Sequence, residues 1–259
     1  MHEQVSRKNL SGVRGADALP AGSAWPSLRA ALLERACTPY RRAGRFAYHF
    51  ARGKLGGDPV FRALLELGLL RGCRRILDLG CGQGLLAAWL HAAAHCCELG
   101  MWPAGWPPAP RPDCIRGVEM AAREVARARA ALGADFEIVH GDICTTAFGS
   151  ADAVIVLDVL HYLPVPLQCE VLRRVHAALP RGGVLLLRVG DAAAGLRFRF
   201  TFLVDRLVLL ARGRGLARLH CHGVAEWRAL LRECGFDSRA EPMSDGTPFA
   251  NVLLVARAI

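Results

Sequence analysis

From about residue 74 onward, short apolar runs alternate with amphipathic stretches. Arg75–Leu79, Cys114–Glu119, Phe136–His140, Ala153–Leu157 and Val184–Val189 are brief runs rich in β-branched and aliphatic residues, each ending near Gly, Asp or Pro. That pattern predicts strands buried on both faces. Between and after them, Leu85–Ala94, Ala121–Leu132, Leu167–Leu179 and Val224–Cys234 carry apolar residues at helical spacing. Strands alternating with helices predict a parallel sheet covered on both faces. The last two apolar stretches, Phe236–Glu241 and Ala250–Ala256, are joined by a short polar turn, Pro242–Pro248. They read as an antiparallel hairpin at the sheet edge. The expected fold is α/β, a doubly wound, mostly parallel seven-stranded sheet with a C-terminal antiparallel hairpin.

The flanking segments read differently. Residues 28–36 and 59–70 have helical spacing, with Pro59 suited to a first turn and Asp58 to its cap. Between them, Tyr40–Pro59 is rich in aromatic and basic residues. Residues 1–27 show little apolar periodicity and read as a loose tail. Residues 28–259 read as one domain, with 28–72 as an N-terminal helical lid. Cys96–Asp113 holds five prolines and two tryptophans, so it cannot continue the preceding helix and reads as an insertion. Within 191–222, the stretch Leu196–His220 mixes a long apolar stripe with arginines. It reads as a substrate cap, as a membrane-touching amphipathic helix, or as a plain core helix.

Composition narrows the function classes. The chain has 259 residues, 53% of them hydrophobic, which is enough for one sizeable core. Its formal net charge is +10, yet the arginines are scattered and only Lys8 and Lys54 are lysines. No basic run with interleaved aromatics marks a nucleic-acid surface. Ten cysteines include no C-x-x-C pair, and no charged-then-apolar leader follows Met1. The expectation is reduced thiols in a cytoplasmic protein without a transmembrane segment. His91, His95, Cys96 and Cys97 lie close, as do His220 and His222, but no spacing is diagnostic, and no metal site is expected.

The chemistry concentrates in Ile76–Gly84, ILDLGCGQG, where an apolar strand runs into glycines spaced G-x-G-x-G. Glycines at the carboxyl end of such a strand let main chain approach a ligand and adopt positive φ. The dinucleotide fingerprint is G-x-G-x-x-G instead. With Asp78 two positions ahead of Gly80, the D-x-G-x-G-x-G pattern resembles the first motif of class I S-adenosylmethionine-dependent methyltransferases. The resemblance covers residues 74–190 well and the C-terminal hairpin more loosely, and it implies a Rossmann-like fold.

The resemblance also implies a cofactor site for S-adenosylmethionine. Asp78, Gly80, Cys81, Gly82 and Gly84 would form the turn against its methionine and ribose parts. Cys81 reads as a small residue fitting there, and Asp78 either orients the turn or holds the ammonium. Glu119, ending the second strand, would accept from the ribose hydroxyls, and Met120 would pack on adenine. Asp142 and Ile143, in the GDI loop, would meet the adenine amino group and ring. Leu157 and Asp158, in LDVLHYL, would lie beside the reacting methyl. Asp78 and Glu119 are 41 residues apart, against about 20 in a dinucleotide fold. The 18-residue insertion accounts for most of the excess.

The reaction expected is methyl transfer to a small-molecule acceptor of an apolar acidic, lipid-like or polyketide-like type, carrier-bound or free. His161 is the candidate base or a pocket wall, and Tyr162 a wall or hydrogen-bond partner. Tyr48 and Arg52, with Arg45, His49 and Lys54 nearby, are candidate carboxylate or substrate contacts. The segment after the fourth strand reads DVLHYL rather than [Asn/Asp]-Pro-Pro-aromatic, which argues against methylation of nucleic-acid bases. Two other readings stand beside this one: a nicotinamide-dependent oxidoreductase on a similar sheet, and a binding protein that keeps the cofactor fold without turnover.

Overall fold

The computed structural model describes residues 21–195 and 219–259. Its seven strands are β1 (Arg75–Leu79), β2 (Cys114–Glu119), β3 (Glu137–His140), β4 (Ala153–Leu157), β5 (Val184–Gly190), β6 (Phe236–Pro242) and β7 (Asn251–Ala258). They form one sheet in the order β3-β2-β1-β4-β5-β7-β6. The first five strands pair in parallel, while β7 runs antiparallel to both β5 and β6. The sheet and its terminal hairpin follow the sequence pattern, with strand ends moved by at most two residues.

Each face of the sheet has its own core, because successive strand residues point to opposite sides. Ile76, Ile155, Leu186 and Val255 join one cluster with α1 (Ala21–Cys37), α3 (Pro59–Glu66), α4 (Leu85–Glu98) and α5 (Ala122–Leu132). Leu77, Val154, Leu185 and Leu254 join the other with α6 (Val165–Ala178) and α7 (Val224–Glu233). This double burial is why the strands read as unbroken apolar runs.

Two N-terminal features depart from the sequence reading. The first helix begins at Ala21, inside the stretch read as a tail, and residues 1–20 lie outside the described residues. Tyr40–Pro59, which the sequence pattern left without an element of its own, holds α2 (Arg45–Gly57), a full helix that buries only Ala47, Ala51 and Leu55. Those three small or aliphatic residues at i, i+4, i+8 are a faint stripe beside bulky aromatic and basic neighbours. The expected N-cap holds, as Asp58 Oδ1 accepts from Val60 N at 3.1 Å.

The proline-tryptophan insertion packs as a flap against the N-terminal helices. Trp106 lies 5.6 Å from Trp25 of α1 and 5.8 Å from Trp102, centroid to centroid. Trp102 Nε1 donates to the Pro107 carbonyl at 2.8 Å, and the Arg62 guanidinium sits 5.0 Å over the Trp25 ring. Gly68, at φ +58°, lies so close to Pro107 that a Cβ would approach within 2.6 Å. The flap fastens α1 to the turn after α3.

Candidate functional site

The strand order reverses at β1, with β2 on one side and β4 on the other. A crevice opens at the carboxyl ends of strands where such a switch occurs. Gly80, Gly82 and Gly84 sit there with φ of 75°, 56° and 80°, all in the left-handed region. Their surroundings differ. A Cβ on Gly80 would meet Val159 Cγ2 at 2.4 Å, and one on Gly84 would meet Leu132 Cδ1 at 2.9 Å. A Cβ on Gly82 would meet nothing within 4 Å. The turn is thus packed from beneath at two glycines and open at the middle one.

Two carboxylates flank the turn. Glu119 accepts from Gly82 N at 3.0 Å and from Ala121 N at 2.7 Å, so the end of β2 is tied to the glycine turn by one side chain. Asp78 is buried, only 4% exposed. Burial, and then the neighbouring Glu119 charge, push its carboxyl up to about 7. Cys81 points under the turn, where a Cβ on Gly117 would come within 2.6 Å of its Sγ. Burial raises its thiol well above the ordinary range, which works against a nucleophilic role.

On the β2–β3 side, Met120 is 47% exposed while Ile143 is buried. Asp142 Oδ1 accepts from Cys144 N at 2.8 Å and shapes the loop. Arg174 of α6 donates to the carbonyls of Ile143 at 2.7 Å, Cys144 at 2.6 Å, and Thr146. Its guanidinium also lies 4.3 Å over Phe148, so one arginine clamps the whole loop.

On the β4–β5 side lies a four-charge cluster. Arg188 of β5 is completely buried. Its Nη1 reaches both Asp58 oxygens at 2.6 Å, its Nε reaches Asp158 Oδ1 at 2.8 Å, and its Nη2 donates to Asp158 Oδ2. Lys54 Nζ completes the set, 2.8 Å from Asp58 and 3.6 Å from Asp158. Burial alone would raise the Asp158 carboxyl, but Arg188 and Lys54 outweigh it and hold it well below the carboxylate range. Asp158 is also the one non-glycine residue at positive φ among the described residues, at 60°. Such a backbone costs on the order of 1–3 kcal/mol and persists only where neighbours enforce it. Here the Arg188 fork and an Asp158 N to Arg188 O bond of 3.2 Å do so.

His161 is buried beside Tyr162, with ring centroids 4.1 Å apart. Burial lowers its imidazole to about 4 against the pull of Asp158. It is neutral at pH 7, and a proton acceptor that weak suits only an acidic partner. Gln168 secures this turn: its Nε2 donates to the carbonyls of Leu160, Leu163 and His220, and its Oε1 meets His222 Nε2 at 3.0 Å.

The N-terminal helices close over the turn. Gln83 Nε2 donates to the Ala47 carbonyl of α2 at 2.9 Å, and Tyr40 Oη donates to the Gln83 carbonyl at 2.9 Å. Tyr48 and Arg52 make their contacts elsewhere. Tyr48 accepts from Arg41 at 3.3 Å, and Arg52 lies 3.6 Å from Glu34 of α1. The helical twist of α2 separates them from Lys54, which faces Asp158. The cap segment, with Arg197 and Arg199, lies mostly outside the described residues, since the description resumes only at Leu219.

Residues 39–241 match the methyltransferase domain family, most of the chain. The chain belongs to that family. The chain is 37% identical over 101 residues to the N,N-dimethyltransferase OxyT of Streptomyces rimosus, a match covering 38% of this chain and 28% of OxyT. It is 32% identical over 123 residues to a carboxy-S-adenosyl-L-methionine synthase of Chromohalobacter salexigens, covering 46% of this chain and 40% of that one. These matches span well under half the length of either curated relative. The fold is shared with magnesium protoporphyrin IX methyltransferase from Synechocystis PCC 6803, solved with bound S-adenosylhomocysteine, at a TM-score of 0.54 and 20% identity, covering 91% of this chain and 100% of that one.

The cofactor is S-adenosylmethionine, and the residues of this chain fit it. The open Cβ direction of Gly82 leaves room for close approach, a carboxylate stands at the β2 end for a diol, and Asp78 lies below for an ammonium. Sequence reasoning missed Arg188, Arg174, Gln83 and Tyr40. Only Arg188 left a signal, a charge inside the apolar run VLLLRVG.

Two predictions follow from the turn. Gly80→Ala should destabilise, adding the Val159 clash to a φ penalty of about 1–2 kcal/mol. Gly82→Ala should carry little beyond the φ penalty, yet weaken S-adenosylhomocysteine binding at least about ten-fold by calorimetry. Equal thermal melts for the two variants would contradict this packing.

Asp78 makes stability depend on pH. Its folded pKa is raised, so its contribution is present below the unfolded value near 3.9 and is lost as pH rises through about 7. Asp78→Asn should therefore raise the melting temperature of the free protein more at about pH 8 than at about pH 5. A shift independent of pH would show that Asp78 is not buried uncompensated.

Proposed function

We propose that this chain moves a methyl group from S-adenosylmethionine to a small-molecule acceptor of an apolar acidic, lipid-like or polyketide-like type, free or carrier-bound. The observation that carries the reading is the Glu119 carboxylate bonded to Gly82 N across a turn whose middle glycine is open. When bound, S-adenosylmethionine supplies a methyl activated on a sulfonium. The chain's part is alignment and exclusion of water. Glu119 orients the ribose, Met120, Asp142 and Ile143 hold the adenine, and Asp78 takes the ammonium. Asp158 and Leu157 shape the methyl end, and neutral His161 accepts a hydrogen bond or proton from an acidic acceptor.

The printed name of the carboxy-S-adenosyl-L-methionine synthase specifies a small molecule, which supports small-molecule chemistry for this chain. All ten cysteines are free thiols, which suits a reducing, cytoplasmic setting. Among the described residues no helix is long and apolar enough to cross a membrane. Separate calorimetric titrations with S-adenosylhomocysteine and NAD test the cofactor assignment. Uptake of NAD alone would overturn it. Labelled S-adenosylmethionine incubated with a metabolite extract tests turnover, and no labelled product would mark a pure binder.

A further inference from the structure

Two unfavourable features meet at the turn that follows β4. Asp158 holds a left-handed backbone that only glycine adopts without strain. Arg188 carries a guanidinium into the apolar run of β5 and is completely buried there. Well-packed apolar residues in place of such a cluster are often equally stable, so stability gives little reason for it. Its geometry gives one. Arg188 Nε and Nη2 hold the two Asp158 oxygens, and Nη1 is held by both Asp58 oxygens at 2.6 Å. Asp58 is itself fixed, because its Oδ1 caps α3 through Val60 N. The residue after Asp158 is Val159, which lies against the glycine turn, where a Cβ on Gly80 would meet its Cγ2 at 2.4 Å. One short helical turn, Leu160–Tyr162, then carries His161. A continuous line of contacts therefore runs from the α3 cap through Arg188 and Asp158 to the first glycine.

We infer that Arg188, braced by Asp58, is a positioning residue for the methyl end of the cofactor site and that it acts through Asp158. The inference rests on the methyl-transfer reading, which puts Leu157 and Asp158 beside the methyl. Arg188 is sealed from the crevice, whereas the Asp158 side chain is one third exposed, so Asp158 and not Arg188 faces a ligand. Attraction of the sulfonium does not explain the arrangement, because the cluster holds two positive and two negative charges. Orientation does. A planar fork on both carboxylate oxygens fixes the plane of the Asp158 side chain. The Asp158 N–H donates to the Arg188 carbonyl at 3.2 Å, so one residue holds both the main chain and the side chain of the other. A lysine ammonium is a point charge and cannot reproduce that grip.

The test follows S-adenosylmethionine, isotopically labelled at its methyl carbon and bound to the full chain, by the NMR signal of that methyl. Arg188→Lys keeps the charge and loses the fork. It should displace the bound methyl signal while S-adenosylhomocysteine affinity by calorimetry stays within about three-fold. Asp158→Gly keeps the backbone and removes the carboxylate, and should displace the signal as well. Arg188→Lys added to Asp158→Gly should then displace it no further, because the two act in series. The triple variant Arg188→Met/Asp58→Asn/Asp158→Asn should melt higher than Arg188→Met and still show the displaced signal, which a purely structural role would not produce. An undisplaced signal in Arg188→Lys would overturn the inference. So would a further displacement when Arg188→Lys is added to Asp158→Gly, or a return to the parent position in the triple variant. If S-adenosylmethionine does not bind the unaltered chain, the methyl-transfer reading falls. The Asp158 amide signal of the free chain then decides whether Arg188 sets the turn: a shift in Arg188→Lys upholds it, and no shift overturns it.

Discussion

Arg188→Met is expected to lower the melting temperature by about 6–12 °C, the largest stability effect of any single change at the site. Removing one partner of a buried ion pair typically costs about 3–5 kcal/mol, because the remaining charge stays buried. Two features place this case near the lower bound. Asp158 is one third exposed, and Lys54 remains beside both carboxylates. At about 2–4 °C per kcal/mol for a domain of this size, a loss of about 3 kcal/mol gives the stated range. The cause can be separated from lost packing. Arg188→Met combined with Asp58→Asn and Asp158→Asn leaves only Lys54 charged, on a side chain that is 37% exposed, and should recover most of the loss. A melt of the single variant within about 2 °C of the parent would show that the cluster is solvated rather than dry.

Glu119→Ala should weaken S-adenosylhomocysteine about 100-fold. Two hydrogen bonds from a ribose diol to a carboxylate contribute about 1.5 kcal/mol each at the low end, and 1.4 kcal/mol is a factor of ten. The substitution also frees Gly82 N and Ala121 N, so the turn itself loosens. Glu119→Gln keeps the shape and one acceptor and should lose about ten-fold. A second signature accompanies the loss. The Glu119 charge helps to raise Asp78, so its removal should lower the pH at which Asp78 ionises. Calorimetry across pH reads both effects, and unchanged affinity in Glu119→Ala would remove the basis of the cofactor assignment.

The sheet was legible because its strands are buried twice over. Runs such as Ala153–Leu157 have no polar alternation to confuse them, and β1, β2 and β4 begin and end where the apolar run does. The glycine turn was legible for a related reason: positive φ excludes most side chains, so the backbone demand is written in residue identity. Helix α2 was not legible. Its buried stripe is two alanines and a leucine, and its bulkiest residues face outward, against the usual pattern. With no helix assigned there, Tyr48 and Arg52 were selected by residue type alone. A helical wheel would have separated them from Phe46, Phe50 and Lys54. Arg188 was visible as an oddity in β5, but its partner Asp58 is 130 residues away, a pairing that no local pattern encodes.

The tryptophan flap makes the seating of α1 optically separable from unfolding of the sheet. Trp25, Trp102 and Trp106 report on that seam, while Trp89 and Trp227 are sealed inside the two cores. Emission on gentle heating can therefore shift in two stages, the first marking detachment of the amino-terminal cover while circular dichroism still registers intact strands.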